Sequence, residues 1–271
     1  MAIEPMKQFM IEKIVDLPAV HVGGMTLDLS ITNSVLMMLI AAVIITAILS
    51  LSAKGAIVPG RMQAVGESLF DLIDGTLVTP IIGHGGKPYI PFIFTIFMLV
   101  LTMNLMGVVL SFGHVVGQDW TFTPTAQLAV TATLAVLTFL AVIVIGFVKN
   151  GLGMYKLFVP SGMPLAMVVV MVPIEMISFF VRPLTLAMRL FGNMLGGHVV
   201  MNIFASFVVA LGAFAAAGGL ASLGYLGSGL SLAMVIALTG LELVVAGLQA
   251  FVFAALATVY LNEVVNLGHG H

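Results

Sequence analysis

The chain has 271 residues, of which 61% are hydrophobic and only 7% charged, with no cysteine and a formal net charge of −2. Ordinary globular chains carry about 25% charged residues, so the composition excludes a soluble domain, and the lack of a basic run excludes an electrostatic surface for nucleic acid. The absence of cysteine also excludes disulfides, thiolate catalysis and cysteine-ligated zinc.

Residues 29–53, 88–118, 120–148, 157–174, 190–241 and 243–262 contain no Asp, Glu, Lys or Arg, whereas a helix crossing the hydrocarbon core needs about 20 mainly apolar residues. The sequence therefore predicts an all-α integral membrane protein with about five membrane-embedded helices and one interfacial amphipathic helix. Residues 1–30 read as an extracytoplasmic segment. Glu4, Lys7, Glu12, Lys13 and Asp16 make it too mixed in charge for a signal or transit peptide, so the first span is expected to act as its own insertion signal. That span covers 31–51. A turn-rich break from Lys54 to Arg61 follows, and then residues 62–82, where Glu67, Asp71 and Asp74 share one helical face between apolar residues. This pattern fits a helix lying in the interface.

Two further spans, about 89–112 and 126–148, form a transmembrane hairpin over 89–148, with Asp119 and Trp120 in its linker, Trp120 as an interfacial anchor. The last region, 164–262, holds two long apolar stretches separated by a glycine-rich run from Gly218 to Gly229, the final helix being expected from about Leu230. Both stretches exceed an upright crossing of ~30 Å at 1.5 Å per residue. They are read as strongly tilted helices forming an antiparallel hairpin. Lys54, Arg61 and Lys87 in one loop and Lys149 and Lys156 in another, against none in 113–125 and 211–229, place the N-terminus outside and the C-terminus in the cytoplasm. No repeat of 20–50 residues shows, nor the paired broken helices of a symmetric transporter.

Within the apolar region a few ionisable residues remain. Arg189 has no carboxylate within thirteen residues on either side, and an arginine at the bilayer centre costs between about 2.5 and more than 10 kcal/mol. Glu175, Arg182 and Arg189 recur at seven-residue steps and so share one stripe. Arg182, next to Pro183, takes the plainer reading of a snorkelling or structurally paired arginine. Direct contact between Glu175 and Arg182 is not expected in a straight helix at that spacing. His198 lies nine residues from Arg189, and in the hairpin Glu242 comes near the level of His198 and Gln249 near that of Arg189. An imidazole and a carboxylate at matching depth suit a proton relay; a metal site is the alternative, although no further ligands sit nearby. Asn104, Asn193, Asn202, Ser178, Thr185 and Ser206 add polar groups at membrane depth, each first read as a helix-packing hydrogen bond. The 19 methionines are read as packing or lipid-facing residues.

Arg182-Pro-Leu-Thr-Leu-Ala-Met-Arg-Leu-Phe-Gly-Asn193, then Gly196-Gly197-His198, Leu248-Gln-Ala-Phe-Val-Phe253 and Tyr260-Leu261 resemble subunit a of the F-type ATP synthases. The likeness runs from Lys54-Gly55 through Asn104-Leu-Met-Gly107 to the C-terminus. It implies that the long hairpin lies against the c-subunit ring, that Arg189 faces that ring, and that Gln249 lies across from Arg189. The order His198 then Glu242 is similar to the mitochondrial and alphaproteobacterial form; many bacterial members have Glu first and His second. The resemblance further implies an inlet past His198 and Glu242, with Asn193 beside the arginine, and an outlet half-channel with Glu175 as its acid. Implied partners are the c ring, the b-subunit peripheral stalk, the rest of the synthase and membrane lipid, in a bacterial inner membrane or, alternatively, a mitochondrial one. No motif such as GxxxxGK[ST] is present, so no cofactor and no catalytic site of its own are expected. An ion-coupled secondary transporter and a purely structural membrane subunit are the competing readings.

Overall fold

The structure is a computed structural model that describes residues 13–15, 20–22, 25–27, 30–53, 58–115, 124–159, 165–216 and 224–267. It is all-α apart from short N-terminal strands. Strand β1 (Lys13–Val15) pairs antiparallel with β4 (Ile31–Thr32), and β2 (Val20–Val22) with β3 (Met25–Leu27), Val22 opposite Met25. Neither pair is part of the sequence expectation for 1–30, although Gly23-Gly24 between two short alternating runs is a hairpin signal for the second. Most of the expected extracytoplasmic segment, the first half of the 54–61 break and the Asp119–Trp120 linker lie outside the described residues.

Helix α1 (Asn33–Ser52) carries no charge and exposes Leu39, Ile40 and Val43, as a helix surrounded by lipid would. Helix α2 (Arg61–Ile73) buries Gln63 and Ile73, exposes Met62, Val65 and Leu72, and leaves Glu67 and Asp71 exposed. The single helix expected over 62–82 is interrupted: Asp74–Val78 form a π-turn before the short α3 (Thr79–Ile81). Pro80 has no N–H to continue the α-helical ladder, and Thr79 Oγ1 donates to Asp74 Oδ1 at 2.8 Å across the widened turn. Helix α4 (Ile90–Val115) buries Ile93, Phe97, Val100 and Asn104, spaced as one helical face. Helices α5 (Leu128–Asn150), α6 (Leu165–Ala215) and α7 (Gly224–Val265) complete the fold. Among the described residues five helices are long and apolar enough to cross a membrane, and the chain is a multi-pass α-helical membrane protein. At 1.5 Å per residue α6 would extend about 75 Å and α7 about 63 Å, beyond any upright crossing.

The residues group into two compact units, Met1–Val43 with Leu101–Gln127 and Phe191–Leu248, and Ile44–Val100 with Leu128–Leu190 and Gln249–His271. In the first, α6 and α7 pack antiparallel: Met201 and Ala205 meet Val235, Thr239 Oγ1 lies 3.5 Å from Met201 Sδ, and Ser228 Oγ donates to the Val208 carbonyl at 2.9 Å. The glycine-rich run does not delay the last helix to Leu230, because α7 begins at Gly224. A β-carbon at Gly224 would fall 2.8 Å from the Leu211 carbonyl oxygen, and one at Gly227 3.0 Å from the Leu211 side chain. These glycines are helical and serve close approach, the route by which helices associate where lipid removes the hydrophobic drive. In the second unit Phe139 of α5 stacks against Phe179 of α6, centroids 4.7 Å apart, and Asn150 Nδ2 donates to the Val264 carbonyl at 2.7 Å.

Candidate proton-path residues

Within the first unit α6 supplies His198 and α7 supplies Glu242. His198 Nδ1 lies 3.9 Å from Glu242 Oε1, with the imidazole 1% exposed and the carboxylate side chain 13% exposed. The matching depth read from the spacing is therefore a contact between facing helices. Gly197 makes it possible: the Glu242 carboxylate occupies the space in which a β-carbon at position 197 would stand. Asn202, one turn beyond His198, is buried, as is Asn104 of α4, whose Nδ2 donates to the Ala246 carbonyl at 3.2 Å, one turn from Glu242. Asn104 Oδ1, Asn202 Nδ2 and both Glu242 oxygens are buried without a hydrogen-bond partner among the described residues. Buried polar atoms are normally satisfied, and a carboxylate out of water is costly unless paired. A separation of 3.9 Å exceeds direct hydrogen bonding and is of the kind that water bridges. An imidazole and a carboxyl so placed can pass a proton between them.

Arg189 belongs to the second unit. It is exposed and, among the described residues, makes no hydrogen bond or ion pair. Asn193, one turn on, is also exposed, and a β-carbon at Gly192 or Gly196 would meet nothing within 4 Å. Gln249 is 4% exposed, on the buried side of α7.

The second unit holds a cluster that the sequence reading anticipated only in part. Arg182 pairs with Glu175, Nη2 to Oε1 3.5 Å, and with Glu263 of α7. The expectation that Glu175 and Arg182 would not touch is incorrect. Seven residues return a helix to nearly the same face, side chains lean toward the helix N-terminus, and the long arginine reaches back the two turns that Cα spacing alone would forbid. Glu263 directly follows the charge-free 243–262 and in the sequence reads as a helix-end charge, which hides its part in this cluster. Among the described residues no group of three or more His, Asp or Glu side chains is arranged to hold a metal ion.

The helices and the residues they carry define a membrane protein with ionisable groups built into its long helices. The sequence pattern described as ATP synthase A chain matches residues 35–262. The chain is similar to the ATP synthase subunit a of Nitrobacter hamburgensis, 44% identical over 98% of this chain and 99% of that protein. It is likewise similar to those of Mesorhizobium japonicum, 43% identical over 98% of each chain, and Rhodopseudomonas palustris, 42% identical over 98% of this chain and 100% of that protein. The chain belongs to the ATP synthase A chain family.

Proposed function

We propose that this chain is the proton-translocating stator subunit of a rotary F-type ATP synthase, in which it faces the ring of c subunits and meets the b-subunit stalk. The observation that carries this reading is Arg189, an exposed cation without a counter-ion among the described residues, on a 51-residue apolar helix. A guanidinium left so in lipid is unfavourable by several kcal/mol, and a carboxylate on a neighbouring subunit would offset that cost. A ring carboxyl must be neutral to face lipid and ionised to release its proton, and a permanent positive charge beside it favours the ionised form.

Protons enter from the outside past Glu242 and His198, protonate a ring carboxylate, travel with the ring and leave through an outlet half-channel on the cytoplasmic side, where Glu175 is the nearest acid on the same stripe. Arg189 separates the two half-channels so that no continuous proton wire exists, and Asn193 and Gln249 serve as further polar residues of the path. Each charge crossing 100 mV supplies about 2.3 kcal/mol, and the offset of the half-channels turns that energy into rotation. The membrane is a bacterial inner membrane, with the N-terminus outside and the C-terminus in the cytoplasm. The test is Arg189→Ala in the complete complex in vesicles: proton-driven ATP synthesis is lost while the complex assembles. Synthesis at the wild-type rate overturns the reading.

A further inference from the structure

Arg182 is enclosed on four sides. Its guanidinium carbon lies 5.1 Å from the centroid of the Tyr260 ring and 5.8 Å from that of Phe179, while its nitrogens meet Glu263 and Glu175. One acid and one ring come from each of α6 and α7. A lysine can meet an acid, but only a planar guanidinium offers donors along its edge to two carboxylates while its faces contact rings. The end of α7 that bears Glu263 is itself held. Asn150 of α5 donates to the Val264 carbonyl, Val264 packs into the space left by the missing side chain of Gly146, and Asn266 donates to the Ile82 carbonyl at 3.3 Å. Arg182 thereby joins α6 to a helix end already fixed to α5 and to the turn after α3. Arg189 follows seven residues later on nearly the same face of α6 and has no hydrogen bond or ion pair of its own among the described residues to orient it.

We infer that Arg182 is a positioning residue: the clasp of Glu175, Arg182 and Glu263, walled by Phe179 and Tyr260, fixes the rotation and register of α6 against α7 and so the aim of Arg189. The inference rests on the function proposed above. Apolar packing alone resists sliding poorly in a membrane, where lipid tails compete for the same contacts. A slip of one residue turns a helical side chain by about 100°. That would carry Arg189 off the face on which it must meet its partner.

The chain contains no cysteine, which allows a direct test in the complete complex once the cysteines of the other subunits are replaced. In Arg182→Cys/Glu263→Cys, ATP-driven proton pumping into vesicles should fall about tenfold, since small misplacements of a working group are costly. A short bifunctional thiol reagent bridging the two positions should bring pumping back to roughly half the starting level or more by restoring position without charge; a monofunctional reagent should not. Pumping at the wild-type level before bridging, or no recovery after it, overturns the clasp. If the double variant does not assemble, Arg182→Lys decides: several-fold weaker pumping with an unchanged pH profile supports the clasp, and full pumping overturns it. Arg189→Ala in the same vesicles separates the two levels, since normal pumping there refutes the proposed function, whereas its loss leaves the Arg182 variants to decide the clasp.

Discussion

The carboxylate of Glu242 fills the space beside α6 that any side chain at position 197 would need. Glycine at 197 is therefore a requirement of the His198–Glu242 contact and not of the backbone, which is ordinary helix there. Gly197→Ala should push the carboxylate off His198 and lower proton-driven ATP synthesis several-fold while the complex assembles, because a methyl inserted into filled space typically costs about 1–3 kcal/mol. The diagnostic comparison is Gly197→Ala/Glu242→Asp, whose shorter side chain withdraws the carboxylate from the new methyl and should recover part of the rate. A single variant as active as wild type would mean that the contact at 197 is irrelevant to transport.

Glu242→Gln keeps the shape of the side chain and removes its proton affinity. If the buried pair passes protons toward the ring, this change should slow synthesis by about 100-fold or more, in the range usual for loss of a proton-transferring group. Asn202→Ala, one turn from His198, should slow it less, since an amide can order water but cannot take up the proton. Glu175→Asp, which keeps an acid, should have the smallest effect of the three. Initial rates of synthesis driven by an imposed proton gradient, normalised to assembled complex, rank the variants. The reverse order would remove Glu242 from the inlet.

Charge scarcity made the five helices legible, because gaps between ionisable residues longer than a membrane crossing admit few other structures. Residue spacing brought Glu242 to His198 for a related reason: two antiparallel helices with a short connection have one register, and counting back from the turn finds it. The same counting failed where side chains and not Cα positions decide. Arg182 reaches Glu175 through its own length and lean, and Glu263 joins them only because α7 continues past the charge-free stretch to Val265. The π-turn at Asp74–Val78 was equally hidden, since Pro80 signals a disturbed ladder without saying how the chain relieves it. Glycine misled in the other direction. Between Gly218 and Gly229 it reads as a break, yet from Gly224 it is helix, and Gly224 and Gly227 approach Leu211 of α6 closely.

Asn104 offers a test of how α4 supports the site. Its side-chain N–H donates to the Ala246 carbonyl at 3.2 Å, one turn beyond Glu242, and Ala246 packs with Val108, Ala126 and Met194 in one cluster. The carbonyl belongs to a helix interior, so Asn104→Leu removes a second hydrogen bond from it and leaves the helical ladder intact. Such interhelical bonds in membranes average roughly 0.6 kcal/mol and rarely exceed about 2, so the complex should assemble with a thermal midpoint lower by only a few degrees. The change in transport should be larger than this loss of stability suggests, because α7 would lose a fixed point next to Glu242. Measuring the thermal midpoint and proton-driven synthesis on the same preparations separates the two effects. If synthesis is unchanged, or falls only in proportion to the fraction of folded complex, Asn104 acts as a packing residue alone.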